Sequence, residues 1–140
     1  MKDVKSTGTI KVLIADDHAI VRMGLASLLG AKSDIEVVGE ANNGEVAVRK
    51  AVKLMPDVVV MDLMMPKMDG VAATRALHER LPSAKVLLLT TFGTSDRLVR
   101  SLEAGASGAI MKSTTNSALI GAANRSEAAS IAIKKHMLKL

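Results

Sequence analysis

Two hydrophobic periodicities alternate along this chain, and that alternation restricts the fold more than any other feature. Apolar runs of strand length occupy residues 11–15, 35–39, 58–61, 86–89 and 109–111, and the segments between them repeat apolar residues at helical spacing. In the first intervening segment Ile20, Val21, Gly24, Leu25, Leu28 and Leu29 fall on one face, and Gly30 is placed to stop the helix. The spacing predicts a second helix from Gly44, capped by Asn43, to Met55, where Pro56 follows. Asp69 can cap a third, ending near Leu81 before Pro82. Thr94 or Ser95 can cap a fourth, closed at Gly105, and Thr114 or Thr115 a fifth that runs into the tail. Five strands alternating with five helices imply an α/β fold. Its parallel sheet is covered on both faces, which is why the strands are apolar throughout.

Ligands of such sheets bind at the carboxyl ends of the strands. Asp16 and Asp17 end the first strand, Asp62 the third, Thr90 and Thr91 the fourth, and Lys112 the fifth. The second strand delivers only Glu40 and is expected at the outside. Asp62 closes an apolar run, where an ionised carboxylate is expensive unless something compensates it. Three carboxylates gathered in one crevice repel one another unless a cation joins them, and all-oxygen ligation suits Mg²⁺ or another hard divalent ion. Such a metal and the Lys112 ammonium would neutralise the oxygens of a phosphoryl group in transfer, with the Thr90 hydroxyl as a further donor. Asp62 is then the natural nucleophile, since a carboxylate can attack phosphorus to form an acyl phosphate.

Composition narrows the alternatives. The 140 residues, 49% of them hydrophobic, are one domain's worth of chain and can bury a real core. Cysteine is absent, which removes disulfides and thiol chemistry, and the opening residues lack the apolar core of a signal peptide. No run approaches the length of a membrane span, so a cytoplasmic protein is expected. Of the net charge of +5, residues 121–140 contribute +3 through Arg125, Lys134, Lys135 and Lys139 against Glu127. Phe92 is the only aromatic residue, which excludes stacking platforms for nucleic-acid bases.

The stretches "VLIADDH", "VVVMDLMMPKMDG", "LLLTT" and "AGASGAIMK" resemble the receiver domain of a bacterial two-component response regulator over residues 10 to about 120. "ADDHAIVRMGLASLL" is similar to the NarL/FixJ (LuxR-type) branch, whose members usually join a receiver to a DNA-binding domain. The resemblance implies a flavodoxin-like, CheY-like doubly wound sheet with strand order 2-1-3-4-5. It implies Asp62 as phosphoacceptor, with Mg²⁺ held by Asp17, Asp62 and the backbone carbonyl of Met64, and by Asp16 mainly through water. Thr90 and Lys112 would grip the phosphoryl group, and Pro66 and Gly70 would shape the loop after the third strand. It further implies a sensor histidine kinase as partner, and pairing of two receivers on phosphorylation. The expected division is an extension at 1–9, a receiver at 10–125 and a helix end or linker at 126–140, with the output domain absent. Sequence-specific DNA binding by this chain is not expected. Two departures stand out: Ala109 replaces the frequent aromatic switch residue, and Ser113 replaces a frequent proline.

Blander readings exist for each residue. Asp16 and Asp17 could be helix caps, Lys112 a solvated strand end, and Thr90 a β-branched strand former. His18 fits poorly in an Mg²⁺-type cup and reads as structural or solvent-facing. Met61, Met64, Met65 and Met68 read as packing. Met64 and Phe92 nevertheless occupy mouth positions that could tune water access. Lys134 and Lys135 read as a solvated face. An aspartate-nucleophile phosphatase would want a second carboxylate where Met64 stands, and a flavin site would want a glycine- and hydroxyl-containing loop in place of "ADDHAI". The main alternative is a pseudo-receiver that binds protein without being phosphorylated.

Overall fold

The computed structural model describes residues 9–90 and 96–111. Five strands, β1 (Ile10–Ala15), β2 (Ile35–Ala41), β3 (Val58–Asp62), β4 (Lys85–Thr90) and β5 (Gly108–Met111), form one parallel sheet in the order β2-β1-β3-β4-β5. Between them lie α1 (Ala19–Gly30), α2 (Gly44–Leu54), α3 (Gly70–Arg80) and α4 (Asp96–Glu103). The doubly wound α/β sheet and its strand order are those expected. The fifth helix, Thr91, Phe92, the caps Thr94 and Ser95, and Lys112 lie outside the described residues.

The period of two along each strand divides the core. Leu13, Ala15, Val59, Met61, Val86 and Leu88 face one side with Ala47, Val48 and Ala51 of α2 and Val71, Ala73 and Leu77 of α3. Val12, Ile14, Val58, Val60, Leu87 and Leu89 face the other, with Leu25 and Leu29 of α1. Every residue of β3 is buried because the strand has a neighbour on each edge and packing on both faces. β2, at the sheet's edge, is partly exposed, and its register slips between Val12 and Leu13 of β1.

Two sequence readings of α1 need correction. Ile20 is 61% exposed and Leu28 is also exposed, so the buried stripe is narrower than the apolar composition suggested. It centres on Leu25 and Leu29, four residues apart, with Val21 and Ala26 packed beside them. Gly30 is the last helical residue and not a left-handed cap; the helix ends as the Ala31 N–H donates to the Ser27 carbonyl in right-handed geometry. α2 ends one residue earlier than expected, with Met55 itself left-handed (φ 54°) ahead of Pro56. β2 runs two residues further than expected, taking in Glu40. Gly105, after α4, has φ +121° and lies so close to the His78 ring that a Cβ would collide with it.

The Asn43 side chain accepts from the Val46 N–H at 2.9 Å, and Asp69 accepts from Ala72 N–H at 3.1 Å, as capping residues should. Asn43→Ala should therefore destabilise the domain by about 1 kcal/mol. Urea unfolding followed by circular dichroism would measure this; an unchanged midpoint would remove the cap from the list of stabilising contacts.

Candidate metal centre

The parallel register determines which polar groups meet at the carboxyl edge. Ala15 of β1 stands opposite Met61 of β3, so one residue further on Asp16 comes alongside Asp62. Period-two alternation then sets both on the α1 side of the sheet, following Ile14 and Val60. The Asp16 N–H continues the ladder by donating to the Ala41 carbonyl at 3.0 Å. Asp16 is fully buried and Asp62 is 3% exposed, whereas Asp17 and His18 look outward.

Carboxylate oxygens of Asp16, Asp17 and Asp62 and a ring nitrogen of His18 all lie within 4.8 Å of one another. Asp16 Oδ1 accepts from the His18 N–H at 2.9 Å and stands 3.2 Å from His18 Nδ1. His18 Nδ1 is 3.3 Å from Asp17 Oδ1. Asp62 Oδ1 accepts from the Met64 N–H at 3.2 Å. Ionised carboxylates 4.8 Å apart repel by roughly 3.5 kcal/mol per pair at an effective dielectric of about 20. A hard divalent cation offsets that repulsion, and three carboxylates are a fitting donor set for one.

The sequence-derived residues Asp16, Asp17 and Asp62 are thus brought together. Neither aspartate of the acidic pair caps α1; His18 holds the N-cap position without a side-chain bond. Met64 adjoins the cluster through its amide, and its side chain is exposed. Thr90 ends β4, beside the strand that carries Asp62, and pairs with Met111. The Thr90 side chain and all of Lys112 fall outside the described set.

Two features were not read from sequence. His18 was expected to be structural or solvent-facing; it is exposed, but it also joins the cluster. Arg22 was not considered at all. One turn inside α1, its Nη1 donates to the Asp16 carbonyl at 2.9 Å and its Nε to Glu40 Oε1 at 3.2 Å. The available signal was the spacing of four from His18, together with the expectation that Glu40 ends the neighbouring strand.

The loop leaving Asp62 is shaped by close packing. Leu63 N–H donates to the Leu89 carbonyl and Gly70 N–H to the Leu63 carbonyl, each at 2.9 Å, while Lys67 takes φ 66° to turn the chain back toward α3. A Cβ on Gly70 would come within 2.8 Å of Leu63 Cα and 3.2 Å of the Asp62 carbonyl oxygen. Gly70→Ala should consequently displace the Asp62–Leu63 backbone and destabilise the domain by about 1–3 kcal/mol, the usual range for overpacking. Thermal unfolding and the amide resonances of residues 62–64 report both effects; a variant with native stability and unshifted resonances would contradict the packing account.

Comparison with known proteins bears on this geometry. The family model described as response regulator receiver domain matches residues 12–124. Response regulator protein VraR of Staphylococcus aureus is 50% identical over 107 residues, covering 76% of this chain and 51% of the relative. The chain therefore spans about half the length of the curated relatives it matches. Among solved structures, the response regulator domain of Thermotoga maritima CheB superposes with TM-score 0.79 at 30% identity, covering 92% of this chain and 95% of the other. A LuxR-family two-component response regulator from Aurantimonas sp. SI85-9A1 gives TM-score 0.70 at 34% identity, covering 87% and 86%.

Proposed function

We propose, from the premise that this chain belongs to the response regulator receiver domain family and to its NarL/FixJ (LuxR-type) branch, that Asp62 accepts a phosphoryl group from a sensor histidine kinase. The observation that carries this reading is the meeting of Asp16, Asp17 and Asp62 within 4.8 Å at the carboxyl edge of the sheet. In the transfer an Asp62 carboxylate oxygen attacks phosphorus. The P–O bond forms as the P–N bond of the donor phosphohistidine breaks, and the departing imidazole takes up a proton. Asp17, Asp62 and the Met64 carbonyl would hold Mg²⁺, with Asp16 acting mainly through water. When bound, the ion neutralises the carboxylates and the phosphoryl oxygens. The Thr90 hydroxyl and the Lys112 ammonium bind those same oxygens. Near-complete burial of Asp62 limits the water that reaches the acyl phosphate, and slow hydrolysis there resets the switch. The domain promotes its own modification and is an enzyme only in that limited sense.

The receiver occupies residues 10–125, with 126–140 as helix end or linker, and works in the cytoplasm. Among the described residues no helix is long and apolar enough to cross a membrane. Phosphorylation changes a protein surface, promotes pairing of receivers and controls transcription through a DNA-binding domain; this chain itself reads no DNA sequence. Ala109 lies on β5 opposite Leu88, at the position where receiver domains frequently carry an aromatic switch residue. Without that ring, Thr90 and the segment after it carry the change.

Asp62→Asn should retain the fold and lose labelling completely, because the near-isosteric amide forms no acyl phosphate. Intact-mass measurement after incubation with acetyl phosphate and Mg²⁺ tests this, and full labelling of the variant would sink the assignment. Leaving out the metal, or Asp17→Ala, should greatly reduce labelling of the otherwise unchanged chain. Absence of any labelling in the unaltered chain would favour the pseudo-receiver.

Lys112→Ala should keep part of the labelling but weaken the conformational response, since the ammonium links phosphoryl oxygens to the end of the fifth strand. Amide shift changes on adding beryllofluoride, a phosphoryl mimic, measure that response. An undiminished response in the variant would refute the linking role.

A further inference from the structure

Arg22 stands outside the carboxylate cluster, yet it is bound to the peptide that carries it. The Asp16 carbonyl belongs to the peptide unit that joins Asp16 to Asp17, so a bond that holds that carbonyl holds the plane from which both α-carbons extend. Arg22 Nη1 donates to it at 2.9 Å, while on the other side of the residue the Asp16 N–H donates to Ala41 at 3.0 Å. The guanidinium is itself held: Nε donates to Glu40 Oε1 at 3.2 Å, and Glu40 directly precedes Ala41 in β2. Lys50 of α2 donates to the Glu40 carbonyl at 2.6 Å. The Asp16 backbone is thereby gripped on both sides by groups anchored to the end of β2.

We propose that Arg22 is a positioning residue for the divalent cation, holding the Asp16–Asp17 peptide so that both carboxylates are presented to it ready-oriented. This rests on the reading of the cluster as a Mg²⁺ site. Two properties suit Arg22 to the role. Its side chain is only 19% exposed, so its rotamer is restricted by the packing around it. Its planar fork reaches a carbonyl and a carboxylate at once, which the single-point ammonium of lysine cannot reproduce. Glu40 supplies the opposite charge, so the clamp adds little net repulsion toward an incoming cation.

Charge and geometry predict opposite signs on removal of the clamp. Arg22→Gln deletes a positive charge near the cup, so Coulomb's law alone demands tighter Mg²⁺ binding; loss of positioning demands weaker binding. Loss of a group that orients metal ligands weakens affinity on the order of 10- to 100-fold. That is the expected result for Arg22→Gln. Arg22→Lys, which keeps the charge and loses the fork, should also bind Mg²⁺ several-fold more weakly.

The test is a Mg²⁺ titration of the full 140-residue chain, read by calorimetry and by the amide shifts of Asp16, Asp17 and Asp62, with the thermal midpoint of each variant measured separately. A structural role alone would lower the midpoint and leave the Mg²⁺ affinity in place. Unchanged or tighter binding by Arg22→Gln overturns the proposal, as does an Arg22→Lys chain indistinguishable from the unaltered one. Should Arg22→Gln fail to fold, Arg22→Lys decides. Failure of the unaltered chain to bind Mg²⁺ would overturn the metal reading and this inference together. Normal binding that is indifferent to Arg22 would overturn the inference alone.

Discussion

Burial of like charges at the end of a parallel sheet is the constraint on which the rest of this structure turns. Asp16 and Asp62 have almost no contact with solvent, and a third carboxylate and an imidazole lie within 4.8 Å of them. Such an arrangement forms only if the scaffold is rigid enough to oppose the repulsion and if local donors absorb part of it. Both conditions are met. The two residues extend the neighbouring strands β1 and β3, whose apolar side chains fill both faces of the sheet. Backbone donors from His18 and Met64 satisfy one oxygen on each carboxylate.

Much of this was legible in the sequence because it follows from periodicity. Short runs that are apolar throughout, a helical period between them and polar residues at the strand ends suffice to locate Asp16, Asp17 and Asp62 on one edge. Strand neighbours then follow from the order β2-β1-β3-β4-β5. Periodicity fails where a residue's environment depends on which helix face turns inward. Ile20 and Leu28 share the composition of a core stripe, yet packing against β1 and β3 selects Leu25 and Leu29. Gly30 fails as a cap signal for a related reason: Lys32 N–H donates to the Leu29 carbonyl at 3.0 Å, so the turn continues without a left-handed residue.

Arg22 illustrates a different limit. A long charged side chain on a helix is usually solvated, and nothing in its sequence neighbours separates it from Arg49, which is exposed. Its role becomes visible only when β2 is known to end beside β1, because its two partners, the Asp16 carbonyl and Glu40, come from different strands. His18 was set aside as a ligand on chemical grounds, since imidazole is a poor match for a hard cation. Geometry brings it in regardless: the N–H to Asp16 Oδ1 bond closes a tight turn that turns the ring back over the acidic pair.

Two buried hydroxyls in the helices stand apart from the charged centre. Around β1 and β3 the buried carboxylates are bound by neighbouring amides. Thr74 of α3 and Ser101 of α4 are fully buried with hydroxyls that have no hydrogen-bond partner among the described residues. An unsatisfied buried hydroxyl costs roughly 1–3 kcal/mol. α3 and α4 pack against each other, so both hydroxyls lie on the same side of the sheet. The fold thus carries two buried hydroxyls in α3 and α4, while its charged centre sits at the ends of β1 and β3, whose side chains fill both faces of the sheet.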